Sequence, residues 1–386
     1  MSERINASDS RATIRWKLLT SASALALVSS INVATAEDTD RPLIWLELGG
    51  QVENVSGEGE VFAPPFLAAN PHSPVLNSVT PLEAQRPAKF GFDEDGRISF
   101  QPESSDWVFS ASVQYGRSSS SRKVHHQTYN VLVTKYNSGV PHPGNILFKH
   151  KFADTQAGRE ESRAILDFTA GKDVGLGMFG ENSTSTVSLG VRIAQFTSKA
   201  SVEMRALPDI QFKYATLGAF GHPEIEFRLP YFHTYHAIGE ASRSFRGVGP
   251  MLSWSGSTPF VGNQQDGELT LDWGANAALL FGRQKAHARH QETAHYLSRY
   301  GILQNGGYYA LTYQHPPAGH DTDRSVTVPN VGGSVGLSWR VQDFKVSFGY
   351  RADFFFGAMD AGIDARRSET LGFKGPYASI SVGLGD

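Results

Sequence analysis

The sequence predicts an all-β chain, an antiparallel transmembrane β-barrel, on three observations. Phe344 to Phe356 reads F-K-V-S-F-G-Y-R-A-D-F-F-F, with Phe344, Val346, Phe348, Tyr350, Ala352, Phe354 and Phe356 on one face. Lys345, Ser347, Gly349, Arg351 and Asp353 fall on the other, the period of two that marks a strand with one apolar and one wet face. Soluble strands typically run about five or six residues, so this one is long, of the length that crosses a bilayer. The pattern also recurs along the chain. Finally, no segment after the N-terminal region nears the roughly 20 apolar residues of a spanning helix, so any crossing falls to strands.

At the N-terminus, Arg11, Arg15 and Lys17 precede a short apolar run, Leu18 to Val28, and Ala34-Thr35-Ala36 supplies an A-x-A site. This is the tripartite pattern of a secretory signal peptide over 1–36, which leaves 37–386 as the barrel and implies export through the inner membrane. The chain lacks cysteine, so it has no disulfide, thiolate metal site or lipidated cysteine. A net charge of −3 gives no nucleic-acid footprint, and a mean hydropathy of −0.29 excludes a polytopic helical protein. Aromatics at 11% and 39 glycines suit strands with aromatic belts and small wall residues.

Alternation then recurs in order. Trp107, Phe109, Ala111, Val113 and Tyr115 share one face, as do Val187, Leu189, Val191 and Ile193. Leu269 to Phe281 and Val331 to Val341 repeat it, and Tyr377 to Leu384 closes the chain more weakly. Further candidate strands lie at 43–55, 128–136, 160–174, 209–219, 229–239 and 244–257. Trp107, Trp254, Trp273, Trp339, Phe344 and Phe356 sit near strand ends, where barrels carry aromatic girdles. Both termini of a barrel belong on the periplasmic side, which makes the strand number even. Placing the tight turn Val341-Gln342-Asp343-Phe344 there favours twelve strands, with ten as the alternative. Long external loops are then expected near 56–96, 137–159 and 284–326, and at 358–372. The first is rich in Pro and Asn; the third carries Asn305-Gly306-Gly307 and His315-Pro316-Pro317.

The wet faces hold Arg163, Asp167, Asp173, Arg192, Asp272, Asn276, Arg340, Lys345, Arg351 and Asp353. An Arg or Lys facing lipid near the midplane costs roughly 2–4 kcal/mol, so these residues are expected to line the lumen. Both signs are present, which allows two outcomes: pairing that plugs the lumen, or a hydrated, weakly selective channel.

Other motifs yield less. Gly175-x-Gly177-x-x-Gly180 leads into another strand rather than a helix, so it reads as a turn and not a dinucleotide site. Gly332-x-Ser334-x-Gly336 sits mid-strand, where a nucleophile elbow cannot form. His287, His290 and His295 lack metal-ligand spacing and read as a solvated, helical or irregular loop. Nothing meets nucleophile-base-orienter logic, so the chain is expected not to be an enzyme, and no cofactor or metal is expected.

Asp167 to Gly177 (D-F-T-A-G-K-D-V-G-L-G), Ser188 to Phe196 (S-L-G-V-R-I-A-Q-F), Phe245 to Trp254 (F-R-G-V-G-P-M-L-S-W), Phe348 to Gly362 and Gly375 to Gly385 are glycine-aromatic strand motifs. Together they resemble the Legionella-type major outer-membrane protein family of pore-forming barrels. The resemblance implies a porin in the outer membrane and supplies no catalytic residues. The chain ends Leu384-Gly385-Asp386, whereas barrel proteins commonly end on an aromatic. The leading expectation is passive diffusion of small hydrophilic solutes or ions. Expected partners are outer-membrane lipid, lipopolysaccharide, the barrel-assembly machinery and those solutes, with an oligomer allowed. The alternatives are a closed-lumen surface barrel, adhesive or structural, and a secreted β-rich enzyme.

Overall fold

A computed structural model describes residues 43–57, 90–103, 105–128, 133–137, 140–147, 151–174, 183–207, 212–215, 226–229, 231–263, 266–299 and 308–384. The segment 1–36, where a signal peptide is expected, and the glycine motif 175–180 lie outside them.

Fourteen strands are described: β1 Leu43–Ser56, β2 Phe90–Gln101, β3 Trp107–Thr128, β4 Val133–Asn137, β5 Val140–Leu147, β6 Lys151–Asp173, β7 Thr184–Leu207, β8 Phe212–Ala215, β9 Glu226–Leu229, β10 Tyr231–Asn263, β11 Gly267–Arg299, β12 Tyr308–Val341, β13 Phe344–Asp360 and β14 Ser368–Leu384. Ten close into an antiparallel ring in the order β1-β14-β13-β12-β11-β10-β7-β6-β3-β2. Ile44 pairs with Leu384, so the first and last strands complete the wall. Around the closed part of the ring each strand is paired on both sides, the condition for a sheet to sit in lipid, while β12 before Asn330 and β3 past Arg117 are paired on one side only among the described residues.

The expected twelve strands are corrected to ten. Of the candidates 128–136 and 209–219, Thr128 ends β3 and the other described residues, 133–136 and 212–215, lie outside the wall, because β3 pairs directly with β6 from Trp107↔Lys172 to Thr128↔Lys151 and β7 pairs directly with β10. In their place β4 pairs only with β5, and β8 only with β9, as separate two-stranded sheets. The alternative count of ten holds, but two of the segments that make it up differ from those expected. The candidates 229–239 and 244–257 are one strand, β10, since Glu240 to Arg243 offers no turn chemistry. Conversely, β2 falls partly within the expected loop 56–96; its Phe90, Phe92, Ile98 and Phe100 share an exposed face, interrupted there by Glu94 and Gly96.

The segment 284–326 is also largely strand. β11 continues to Arg299, β12 starts at Tyr308, and Arg283 to His290 pair with Ser325 to Ala318. His287 and His290 therefore stand on a strand rather than in a helical loop. Pro316 and Pro317 are accommodated because the ladder shifts register there, between His290 and Glu292, so no paired N–H is demanded of them. Strand also occupies 140–147 and 151–159 of the expected loop 137–159, and 358–360 and 368–372 of the last one.

The faces follow from pleating. Leu48, Val52, Phe92, Phe109, Val113, Leu166, Phe168, Leu189, Val191, Leu252, Leu279, Phe281, Val335, Leu337 and Phe348 point out and are exposed. On β13 this apolar face runs from Phe344 to Phe356. At about 3.3 Å per residue and a tilt near 40° it spans close to 30 Å, matching a bilayer core. The tight turn Gln342-Asp343 is held by the Gly383 N–H donating to Asp343 O at 2.7 Å, and Gln342 takes φ 51°.

Candidate functional site

The barrel interior is built in layers, each set by the inward residue at one height on successive strands. At the short-turn end a vestibule of about 410 Å³ opens among hydroxyls, including Ser99, Ser110, Thr169, Ser188, Ser253 and Ser381. Small inward side chains leave this space. At its edge Lys345 Nζ meets Asp272 Oδ2 at 2.6 Å, and Ser257 Oγ donates to Asp272 Oδ1 at 2.7 Å.

A lattice of charges forms the next layer. Arg192 grips Asp167 with two parallel bonds, Nε to Oδ1 at 2.8 Å and Nη2 to Oδ2 at 2.7 Å. Its Nη1 donates to Asn276 Oδ1 at 2.9 Å and also to Asn330 Oδ1. Asp167 is on the adjoining strand, but Asn276 and Asn330 are on β11 and β12, two and three strands along the ring from β7. Nearby, Arg163 Nη2 lies 2.7 Å from Glu53 Oε2 and 2.5 Å from Asp93 Oδ2, with all three side chains buried. Arg351 faces Asp95 at 3.6 Å and stacks on the Tyr377 ring at 5.0 Å. The fit is tight: a Cβ added at Gly332 would fall 2.0 Å from Asp353 Oδ1. Buried charges are tolerated only when paired and hydrogen-bonded, and here the pairs reach from wall to wall.

Above the charges lies an apolar layer. Phe196 of β7 meets Phe355 of β13 edge-on with centroids 4.6 Å apart, and Phe373 of β14 at 5.7 Å. Phe245 of β10 stacks on Phe196 at 5.9 Å. Val55, Ile165, Leu280, Val328 and Leu371 complete one buried cluster. The Arg163 guanidinium caps it from below, 4.3 Å from the Phe373 ring.

At the far mouth the β13–β14 connection folds inward. Gly357 takes φ 69°, a conformation that costs a side-chain-bearing residue about 1–2 kcal/mol, and the ladder shifts register between Phe355 and Met359. Ala358, Met359, Asp360 and Ala361 are thereby buried. Asp360 Oδ1 accepts the N–H groups of Gly362 at 3.0 Å and Arg367 at 2.9 Å; Oδ2 accepts Thr322 Oγ1 at 2.9 Å and lies 3.1 Å from His320 Nε2. Burial alone would raise this carboxyl, but these donors hold it below its ordinary value. Arg243 Nη2 donates to the carbonyls of Ala361 and Gly362, at 3.3 and 3.4 Å, and His290 Nε2 lies 2.6 Å from Asp364 Oδ1.

The residues singled out in the sequence fall as follows. Arg163, Asp167, Arg192, Asp272, Asn276, Lys345, Arg351 and Asp353 point inward, gathered in the vestibule and charge lattice. Arg340 also points in, at the short-turn end, 5.0 Å over the Trp45 ring. Asp173 sits at the end of β6 and accepts the Ser185 N–H at 3.3 Å. Trp107, Trp339, Phe344 and Phe356 are exposed on the outer face. Trp254 and Trp273 meet edge-on at 5.0 Å, with Trp254 Nε1 donating to Ser185 Oγ at 2.8 Å. His287 faces outward, beside Asp321 on the neighbouring strand, whereas His290 faces inward.

Sequence reasoning missed the phenylalanine layer. Its signal was present: Phe355 breaks the wet face of β13, and Phe196, Phe245 and Phe373 break theirs at the same height, which only the register reveals.

No protein-family model matches the chain, and no curated protein matches it. Among solved structures it is similar to the outer-membrane protease OmpT from Escherichia coli, at 9% identity and a TM-score of 0.29, over 91% of this chain and 99% of that one. It is also similar to the transport unit of the autotransporter AIDA-I from Escherichia coli (8% identity, TM-score 0.20, 94% and 97% covered). A third is the toluene transporter TbuX from Ralstonia pickettii (10%, 0.16, 89% and 90%). The expectation that the chain is not an enzyme does not stand, since a protease is among these structures. A TM-score of 0.29 is in turn too low to assign that activity here. The barrel itself rests on the chain's own strand pairing.

Proposed function

We propose that the chain is an outer-membrane β-barrel with a closed lumen, acting at the cell surface as a structural or adhesive protein rather than as an open diffusion channel. The observation that carries this reading is the layer of Phe196, Phe245, Phe355 and Phe373, which joins opposite walls with rings in contact and buried. Water and ions do not pass a dry aromatic layer of this kind. The wall-to-wall bonds of Arg192 and Arg163 support the same reading from below, and the inward-folded β13–β14 connection from above. A surface role is supported by the height of one wall: β10, β11 and β12 run 33, 33 and 34 residues, well past the apolar face. The hydroxyl-lined vestibule is then a blind chamber rather than half of a channel.

Planar-bilayer recording of the folded chain tests this. No stepwise conductance is expected; reproducible steps from heat-modifiable protein would restore the open-channel reading.

A further inference from the structure

The outer face of β7, β10, β11 and β12 can be read row by row, because the registers are continuous. One row is apolar: Ile193, Val248, Phe281 and Thr327 lie side by side, with Val248 and Phe281 48% and 54% exposed. The next row toward the long-connection end is Gln195, Arg246, Arg283 and Ser325. Two arginines thus stand directly opposite on adjacent strands, flanked by uncharged residues on both sides. The row beyond is Thr197, Ser244, Lys285 and Asp323, and the one after it begins Lys199, Ser242 and His287.

Like charges placed directly opposite destabilise a sheet. Asp323 partly answers Arg283, Nε to Oδ1 at 2.5 Å, but it is shared with Lys285 at 3.4 Å. Among the described residues Arg246 has neither an ion-pair nor a hydrogen-bond partner. The other acids nearby face elsewhere: Asp321 holds Arg289 and His287, and Glu160 lies opposite Lys199 on the far side of β7. The result is a cationic shelf with hydroxyls above it (Thr197, Ser244) and an exposed apolar wall beneath it (Val248, Phe281, Leu279).

We infer that the Arg246–Arg283 shelf binds the phosphate group of an anionic lipid whose acyl chains lie on the apolar wall below. An arginine fork matches phosphate oxygens in charge and geometry, and a phosphate between the two guanidinia removes their repulsion. The apolar row directly beneath selects a phosphate attached to acyl chains over a free one. This site rests on the membrane-barrel reading and deepens it by fixing where the headgroup sits.

The test uses the full folded chain in dodecyl maltoside, titrated with bisphosphorylated lipid A, dephosphorylated lipid A or inorganic phosphate, with bound lipid counted by native mass spectrometry. Wild type should hold the bisphosphorylated lipid about tenfold more tightly than the dephosphorylated one, and the R246Q/R283Q double variant should lose that preference. The R246Q single variant removes a charge without a protein partner, so it should fold normally and lose most of the preference by itself. Equal retention of the two lipids, a preference surviving in R246Q/R283Q, or displacement by millimolar inorganic phosphate would overturn the lipid site. A chain that is neither heat-modifiable nor detergent-bound would overturn the membrane-barrel reading with it. Equal retention by a heat-modifiable barrel overturns the site alone.

Discussion

Phe355→Ala probes the feature on which the closed lumen depends. The ring is 0% exposed and touches Phe196 at 4.6 Å and Phe373 at 6.1 Å. A buried Phe removes about 200 Å² from water, worth about 5 kcal/mol at 25 cal/mol per Å². The compactness of real unfolded chains trims this to about 3–4 kcal/mol, within the range for Phe→Ala in packed cores. The assay is reversible urea unfolding in lipid micelles, followed by tryptophan fluorescence. A double-mutant cycle with Phe196→Ala should recover a coupling of about 0.5–1.5 kcal/mol from the edge-on pair. A loss below about 1 kcal/mol, or no coupling, would mean the rings are not packed against each other and the lumen is looser than described. Conductance separates the layers. Phe355→Ala alone should stay silent, because Arg163 and Arg192 still bridge the interior below. Steps appearing in this single variant would refute a lumen closed more than once.

Other expectations follow from the same geometry. Phe348 is 63% exposed on the apolar face whereas Ser347 lines the vestibule, so Phe348→Arg should impair assembly by roughly 2–4 kcal/mol and Ser347→Arg far less, read by heat-modifiable mobility. Arg192→Met should destabilise by about 3–5 kcal/mol, since it strands the buried Asp167 and leaves Asn276 and Asn330 without their donor; Arg192→Met with Asp167→Leu should recover part of the loss. Asp360 carries a lowered carboxyl, so its contribution is fully present above its unfolded value, roughly pH 4, and fades as pH falls through the folded one. Hydrogen exchange at the Gly362 and Arg367 amides, corrected for intrinsic rates, should hold its protection from pH 6 down to about pH 4 and lose it as the pH falls further, and Asp360→Asn should flatten that dependence.

Which parts of this architecture the sequence discloses follows from what periodicity measures. Alternation reports a face, so the outward Phe348 and Leu189 and the inward Arg192 and Asp353 are legible one strand at a time. Strand number is not, because it depends on which segments pair. Two short alternating stretches, 128–136 and 209–219, read like wall strands, yet their described residues past Thr128 fall in β4 and β8, outside the ring, and nothing local to them encodes the direct β3–β6 and β7–β10 pairing. β2 is obscured for the opposite reason: Glu94 and Gly96 interrupt its apolar face. The interior layers are collective. Phe196 and Phe355 are far apart in sequence and meet only once the barrel curls, so a phenylalanine on a wet face reads as noise until four share one height.

The pairing of Ile44 with Leu384 has a kinetic consequence. It is the contact of greatest sequence separation in the wall, so it carries the largest loop-closure entropy and belongs late in folding. The tall β10–β11–β12 ladders join neighbours in sequence and can form first. Until β14 arrives, the half-built sheet presents two raw edges, on β1 and β13, each able to capture a strand from another chain. A version of the protein truncated before Ser368 would keep those edges permanently, and its fate would be a swapped or aggregated species rather than a smaller barrel.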